Sequence, residues 1–204
     1  MITPEQATAF ESCIEAGGVA VFPADTVYGL ACDPLSDAAV ERLYALKGRP
    51  AVKPAAIMFF ALQLALDQLP EIGPRTRAAF ESLLPGAVTL LLPNPEQLFP
   101  LACGPDIATL GLRVPALTQP LAALASVRTP VLQSSANLAG GDDARALTQV
   151  QPEIRGGADH EIDGGELPGT PSTVVDLRSL ESEGRWKVLR AGAVSAGEVA
   201  QRLG

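Results

Sequence analysis

The sequence predicts an α/β fold, a single twisted mixed β-sheet flanked by helices. Three observations lead there. Short, mostly apolar runs of strand length, such as residues 19–22, 57–60 and 131–133, recur along the chain. Between them lie segments with apolar residues at helical spacing, several of them opened by a capping residue. The two kinds alternate irregularly, so a mixed sheet fits better than a strict succession of βαβ units. No internal repeat and no linker-like stretch interrupts the 204 residues, so residues 1–204 are expected to form one domain.

Each element has a local reason. Thr3, Pro4 and Gln6 read as an N-cap, a first-turn proline and a capping-box partner. Phe10, Cys13 and Ile14 then share one face, and Gly17 and Gly18 stop the helix. Residues 19–22 form a strand ended by Pro23. Ser36 caps a helix carrying Val40, Leu43, Tyr44 and Leu46 at helical spacing, closed by Gly48 and Pro50. A buried strand at 57–60 precedes a helix running through Leu69. Pro74 opens a helix over 75–84, followed by strands near 88–92 and 110–114. A helix is expected near 120–125, a strand at 131–133 and a further helix from about Arg145. Strands near 173–177 and 187–189 come next, and Ser195 with Glu198 forms a capping box for a last helix.

Composition excludes several classes. Apolar residues make up 47% and charged residues 19%, which is globular and not disordered. No apolar run approaches the roughly eighteen residues of a membrane helix, and the N-terminus lacks signal-peptide character. A cytoplasmic protein with no membrane partner is the expectation. The three cysteines, Cys13, Cys32 and Cys103, are scattered without zinc or disulfide spacing. His160 is the single histidine and lies in a Gly/Asp-rich stretch that reads as a loop or strand edge. Neither a Walker A pattern nor a Gly-x-Gly-x-x-Gly fingerprint is present.

The cations are unevenly placed. None precedes Arg42, and then Arg42, Lys47, Arg49 and Lys53 fall in one acid-free window of a chain whose net charge is −8. A helix C-terminus would account for Lys47. Arg49 and Lys53 lie beyond Gly48, in a loop that Pro50 and Pro54 stiffen. A rigid cationic loop suits a polyphosphate, with the arginine fork and lysine point charges as its contacts. Farther on, Ser134, Ser135, Ala136 and Asn137 follow a buried strand and lead to Gly140 and Gly141. Ser172 and Thr173 enter another strand. Short polar groups at strand ends are common turn formers, and they are also what a ligand pocket in an α/β protein uses.

Taken in order, the segments PADTVYGL at 23–30, KGRPAVKP at 47–54, PGAVT at 85–89, RVP at 113–115, SAN at 135–137, PSTVVD at 171–176 and RAG at 190–192 resemble the YrdC-like family. That resemblance spans nearly the whole chain. It implies a twisted mixed sheet with a deep cationic cavity and the activity of an L-threonylcarbamoyladenylate synthase, a nucleotidyltransferase. Such an enzyme converts L-threonine, bicarbonate and ATP to threonylcarbamoyl-AMP and pyrophosphate. Separate threonylcarbamoyl-transferase components then use the product to modify tRNA, so any contact of this chain with tRNA is expected to be weak or indirect.

Matched residue by residue, the resemblance puts Lys47, Arg49 and Lys53 on the ATP phosphates, with Lys47 and Arg49 as the catalytic cations. Thr109, Ser135, Asn137 and Arg190 would complete the ATP site. Thr26, Arg113 and Ser172 would hold threonine. Mg²⁺ is expected on the phosphates, without a protein ligand. Catalysis would consist of positioning and charge stabilisation, as one histidine allows. The chain departs from the family pattern at Ala24, Leu84, Ala87, Met58 and Gln133, and the last two flank the threonine pocket. A paralogue with another substrate and a non-catalytic nucleotide- or RNA-binding module are the competing classes. The acidic balance speaks against the RNA-binding one.

Overall fold

The computed structural model describes residues 1–48, 53–69 and 72–204. Among these, helices α1 (Pro4–Glu15), α2 (Asp37–Leu46), α3 (Leu62–Asp67), α4 (Pro74–Leu83), α5 (Pro100–Cys103), α6 (Pro152–Gly157), α7 (Leu180–Glu183) and α8 (Ala196–Leu203) flank one sheet. Its strands are β1 (Ala20–Pro23), β2 (Tyr28–Cys32), β3 (Ala56–Met58), β4 (Val88–Pro93), β5 (Thr109–Arg113), β6 (Val131–Ser135), β7 (His160–Glu161), β8 (Thr173–Asp176) and β9 (Lys187–Arg190). They lie in the order β7-β1-β2-β6-β3-β5-β4-β8-β9. The pairs β1–β7, β3–β5 and β4–β8 are parallel, and the other five are antiparallel.

The expected caps form. Thr3 and Gln6 make a reciprocal capping box, as do Ser195 and Glu198, and the Ser36 hydroxyl accepts from the Ala39 amide. Three expectations are corrected. The sequence reading places no strand at Tyr28–Cys32, yet β2 lies between β1 and β6. No helix starts at Arg145: its amide is held by the Gln149 side chain at 2.8 Å, and a 3₁₀ turn, Leu147–Gln149, follows. Pro152 has no amide hydrogen to continue such a helix and instead opens α6. The segment near residue 120 is likewise a 3₁₀ turn, Ala122–Ser126.

Register explains the two faces. Cys32, Leu132, Ile57, Leu112, Leu90 and Val175 are aligned across six neighbouring strands, and all are fully buried. The adjacent row points to the other face, because side chains alternate. It reads Ala31, Gln133, Ala56, Gly111, Leu91 and Asp176. Three of its four members over β2, β6, β3 and β5 have a methyl group or less, so the sheet is hollow there. Toward β1 an aromatic cluster fills the volume, with Phe10 of α1 at 5.2 Å from Phe22 and 5.7 Å from Phe60 between ring centres.

Asp159 ties three elements together. Its carboxylate accepts from the Val19 amide at 2.8 Å and forms a fork with Arg42 of α2, just before β7. The Arg42 guanidinium holds this carboxyl below its ordinary value, with the Val19 amide adding to the effect.

Two outcomes follow from the packing. Phe10→Ala should lower the unfolding free energy by about 3–5 kcal/mol, read as a lower urea midpoint at unchanged slope. The native Asp159 carboxyl binds its proton less readily than the unfolded chain does. Its contribution is therefore complete above the ordinary carboxylate range and lost as pH falls through the lowered native value. Asp159→Asn should be less stable than wild type at pH 7, and the gap should close in acid, followed by thermal unfolding across pH.

Candidate functional site

The hollow in the sheet opens into a cavity of about 480 Å³. Three same-face rows supply its floor, about 7 Å apart along the strands. The first contributes Ser135 and Thr109, the middle one Gln133, Ala56, Gly111 and Leu91, and the third Arg113, Thr89, Val174 and Arg190. Pro171, Ser172, Asp106, Arg178 and Asp143 form part of the rim. Five residues singled out in the sequence, Thr109, Arg113, Ser135, Ser172 and Arg190, therefore meet in one space.

Arg113 is the most enclosed of the charged residues that line the cavity, at 4% exposure. Its Nη2 donates to Asp25 Oδ1 at 2.7 Å and to Thr26 Oγ1 at 3.2 Å, which brings Thr26 to the same corner. The other Asp25 oxygen accepts from the Ala116 amide at 3.0 Å. Burial pushes the Asp25 carboxyl up, against the opposing pull of Arg113 and that amide. Burial also lowers the Arg113 value, and Asp25 opposes that shift. Arg113 Nε is buried and has no hydrogen-bond partner among the described residues. An unpaired guanidinium N–H is a group whose hydrogen bonding an anion such as a carboxylate can complete.

On the far side of the cavity, Arg190 Nη2 donates to the Ser172 carbonyl at 2.7 Å and lies 3.3 Å from its hydroxyl. The Ser172 and Thr89 hydroxyls are 2.7 Å apart. At the rim, Arg178 grips Asp176 through Nε and Nη2 at 2.9 and 2.8 Å and donates from Nη1 to Thr109 Oγ1 at 3.1 Å. Thr109 in turn donates to Asp106 at 2.7 Å. Sequence reading missed Arg178 as a site residue. The available signal was its position two residues after Asp176, at the end of a strand already singled out.

The cationic loop is placed differently from the cavity floor. Lys47 caps the end of α2 and is buried, with its ammonium on the carbonyls of Ser135 and Asn137 and on Asn137 Oδ1. Asn137 Oδ1 also accepts from the Ser135 hydroxyl at 2.7 Å. Lys47 and Asn137 thus brace the strand end that presents Ser135. Gly48 has φ +56°, which lets the chain leave α2 in a left-handed turn. Lys53 is exposed, and its carbonyl accepts from the Tyr44 hydroxyl at 2.8 Å. Arg49 and most of the Pro-rich segment after Gly48 lie outside the described residues. Met58 is fully buried in the row of Arg113.

Comparison with known proteins agrees with this fold. A family model described as "Telomere recombination" and named for Sua5, YciO and YrdC matches residues 12–192. A threonylcarbamoyl-AMP synthase of Pyrococcus abyssi is 32% identical over 195 residues, covering 94% of this chain and 55% of that protein. The crystal structure of P. abyssi Sua5 complexed with L-threonine superposes with a TM-score of 0.85 at 30% identity, covering 100% of this chain and 59% of that one. E. coli YciO shares the fold, with a TM-score of 0.81 at 23% identity over 98% of this chain and 95% of its own. This chain therefore spans little more than half the length of the Pyrococcus relative.

Removing one partner of the Asp25–Arg113 pair strands a buried charge. Asp25→Ala should cost about 3–5 kcal/mol of stability by urea unfolding, whereas adding Arg113→Met should recover a large part of that loss.

Proposed function

The chain belongs to the Sua5/YciO/YrdC family, and we propose that it is a threonylcarbamoyl-AMP synthase, using L-threonine, bicarbonate and ATP. The observation that carries this reading is the buried, incompletely paired Arg113 guanidinium in a cavity whose opposite row holds Ser135 and Thr109. One end of that cavity suits an amino-acid carboxylate, and the other offers the Ser135 and Thr109 hydroxyl groups, the latter beside Arg178, for a nucleotide. The kinship with a threonylcarbamoyl-AMP synthase and with a threonine-bound Sua5 supports the same assignment.

In this reading Arg113 and Thr26 receive the threonine carboxylate. The Ser172 hydroxyl, oriented by Thr89 and Arg190, meets the threonine hydroxyl, because a site built to hydrogen-bond an OH discriminates strongly for it. Thr109, Ser135 and Arg190 contact the nucleotide. Lys47 and Asn137 hold the Ser135 strand end, and Arg49 with Lys53 brings charge to the phosphates. Mg²⁺ carried by the triphosphate would offset charge there. Asp106 and Asp143 are the carboxylates that line the cavity, and their hard oxygens suit that ion's hydrated shell.

The chemistry needs little proton transfer from side chains. The neutral threonine amine attacks the bicarbonate carbon, giving the N-carboxylate and water. A carboxylate oxygen then attacks the α-phosphorus of ATP, a new P–O bond forms, and the bond to the β-phosphate oxygen breaks to release pyrophosphate. Fixed cations around the phosphates stabilise the charge that develops. Transferase components that modify tRNA would consume the mixed anhydride.

Pyrophosphate release should require both threonine and bicarbonate and be weak with serine or alanine. Arg49→Ala should slow it about a hundredfold. ATP binding without threonine-dependent release would assign the cavity to another substrate.

A further inference from the structure

Gln133 occupies a singular place in the cavity. It lies in the middle row, between Ser135 and Thr109 on one side and Arg113 on the other. Its row neighbours Ala31, Ala56 and Gly111 carry no polar side chain. Gln133 is 6% exposed and lines the cavity. Its carboxamide makes no hydrogen bond to another described residue. A Cβ at residue 29 would come within 2.8 Å of Gln133 Nε2, so Gly29 gives the carboxamide room to lie over β2. The residue is buried, but its carboxamide atoms open onto the cavity, where a ligand's donor and acceptor can meet them.

The threonylcarbamoyl-AMP synthase reading, on which this inference rests, leaves one part of the reacting system unassigned. Arg113 takes the carboxylate and the Ser135–Thr109 row takes the nucleotide, but the bond between the two halves forms over the middle row. The group there is a carbamate, with an N–H donor and a carboxylate acceptor in one plane. A carboxamide presents the complementary acceptor and donor in one plane. We propose that Gln133 binds the N-carboxylated amine of the substrate, its Oε1 accepting from the carbamate N–H and its Nε2 donating to a carbamate oxygen. The remaining carbamate oxygen is left to attack phosphorus. Held in this way, the carbamate is both oriented and retained against loss of its carboxyl group.

The test follows pyrophosphate release by wild type, Gln133→Ala and Gln133→Met, varying bicarbonate, L-threonine and ATP in turn. ATP affinity is measured separately by calorimetry. Gln133→Met keeps the bulk of the side chain and removes both polar atoms, so it remains informative if the alanine variant folds poorly. Both variants should raise the KM for bicarbonate and for threonine about tenfold, with ATP affinity unchanged within about twofold. A wild-type profile in Gln133→Met, or an equal loss of ATP affinity, would overturn the carbamate assignment alone. Wild-type protein that releases no pyrophosphate in response to threonine overturns the synthase reading, and this inference with it.

Discussion

The row formed by Ala31, Ala56 and Gly111 sets the terms for everything on that face of the sheet. A sheet normally buries both faces under side chains and helices. Here the strands in the middle bring small residues into register, so the backbone itself becomes a floor. Long polar side chains from the rows on either side can then reach inward without colliding. Gly29 has the same effect at the edge of the hollow, where even a methyl group would meet Gln133 and the Phe22 ring. The opposite face carries a continuous apolar row that crosses six strands, and the aromatic cluster near β1 adds to it on the cavity's own face. Binding volume and core are thus two sides of the same pleat.

Such a hollow brings buried charge, and each arginine at the cavity is held in a different way. Asp25 anchors Arg113, Asp176 anchors Arg178, and the Ser172 carbonyl anchors Arg190. Orientation is fixed before any ligand arrives, so less side-chain entropy is lost on binding. The same acids contribute to the net charge of −8. An acidic protein can therefore keep an anion receptor, because its charge is sorted in space and not averaged over the surface.

Much of the fold was legible because helix ends are local. Thr3, Ser36 and Ser195 announce their helices within four residues. The strand β2 was not legible, since Tyr28–Cys32 contains Gly29 and Ala31 and owes its conformation to partners on either side. Its small residues look like poor strand formers and are the ones the hollow needs. The site divides similarly. Arg113, Ser135, Ser172 and Arg190 were found through motif segments and Thr109 through its family position, and they do converge. Their orientation was hidden, because Asp25 and Arg113 are 88 residues apart and Arg178 belongs to no motif. Lys47 reads as a phosphate contact in sequence, whereas its ammonium in the fold braces Ser135 and Asn137, which only folding reveals.

The margins of the sheet bear on a different property. At one side β7 offers only two residues, and at the other β9 is four residues long and carries Lys187 and Arg190. A neighbouring molecule adding itself as a further strand would find too few positions to pair with on β7 and would have to desolvate cations on β9. The sheet that holds the cavity open is thereby kept from growing sideways by edge-to-edge pairing.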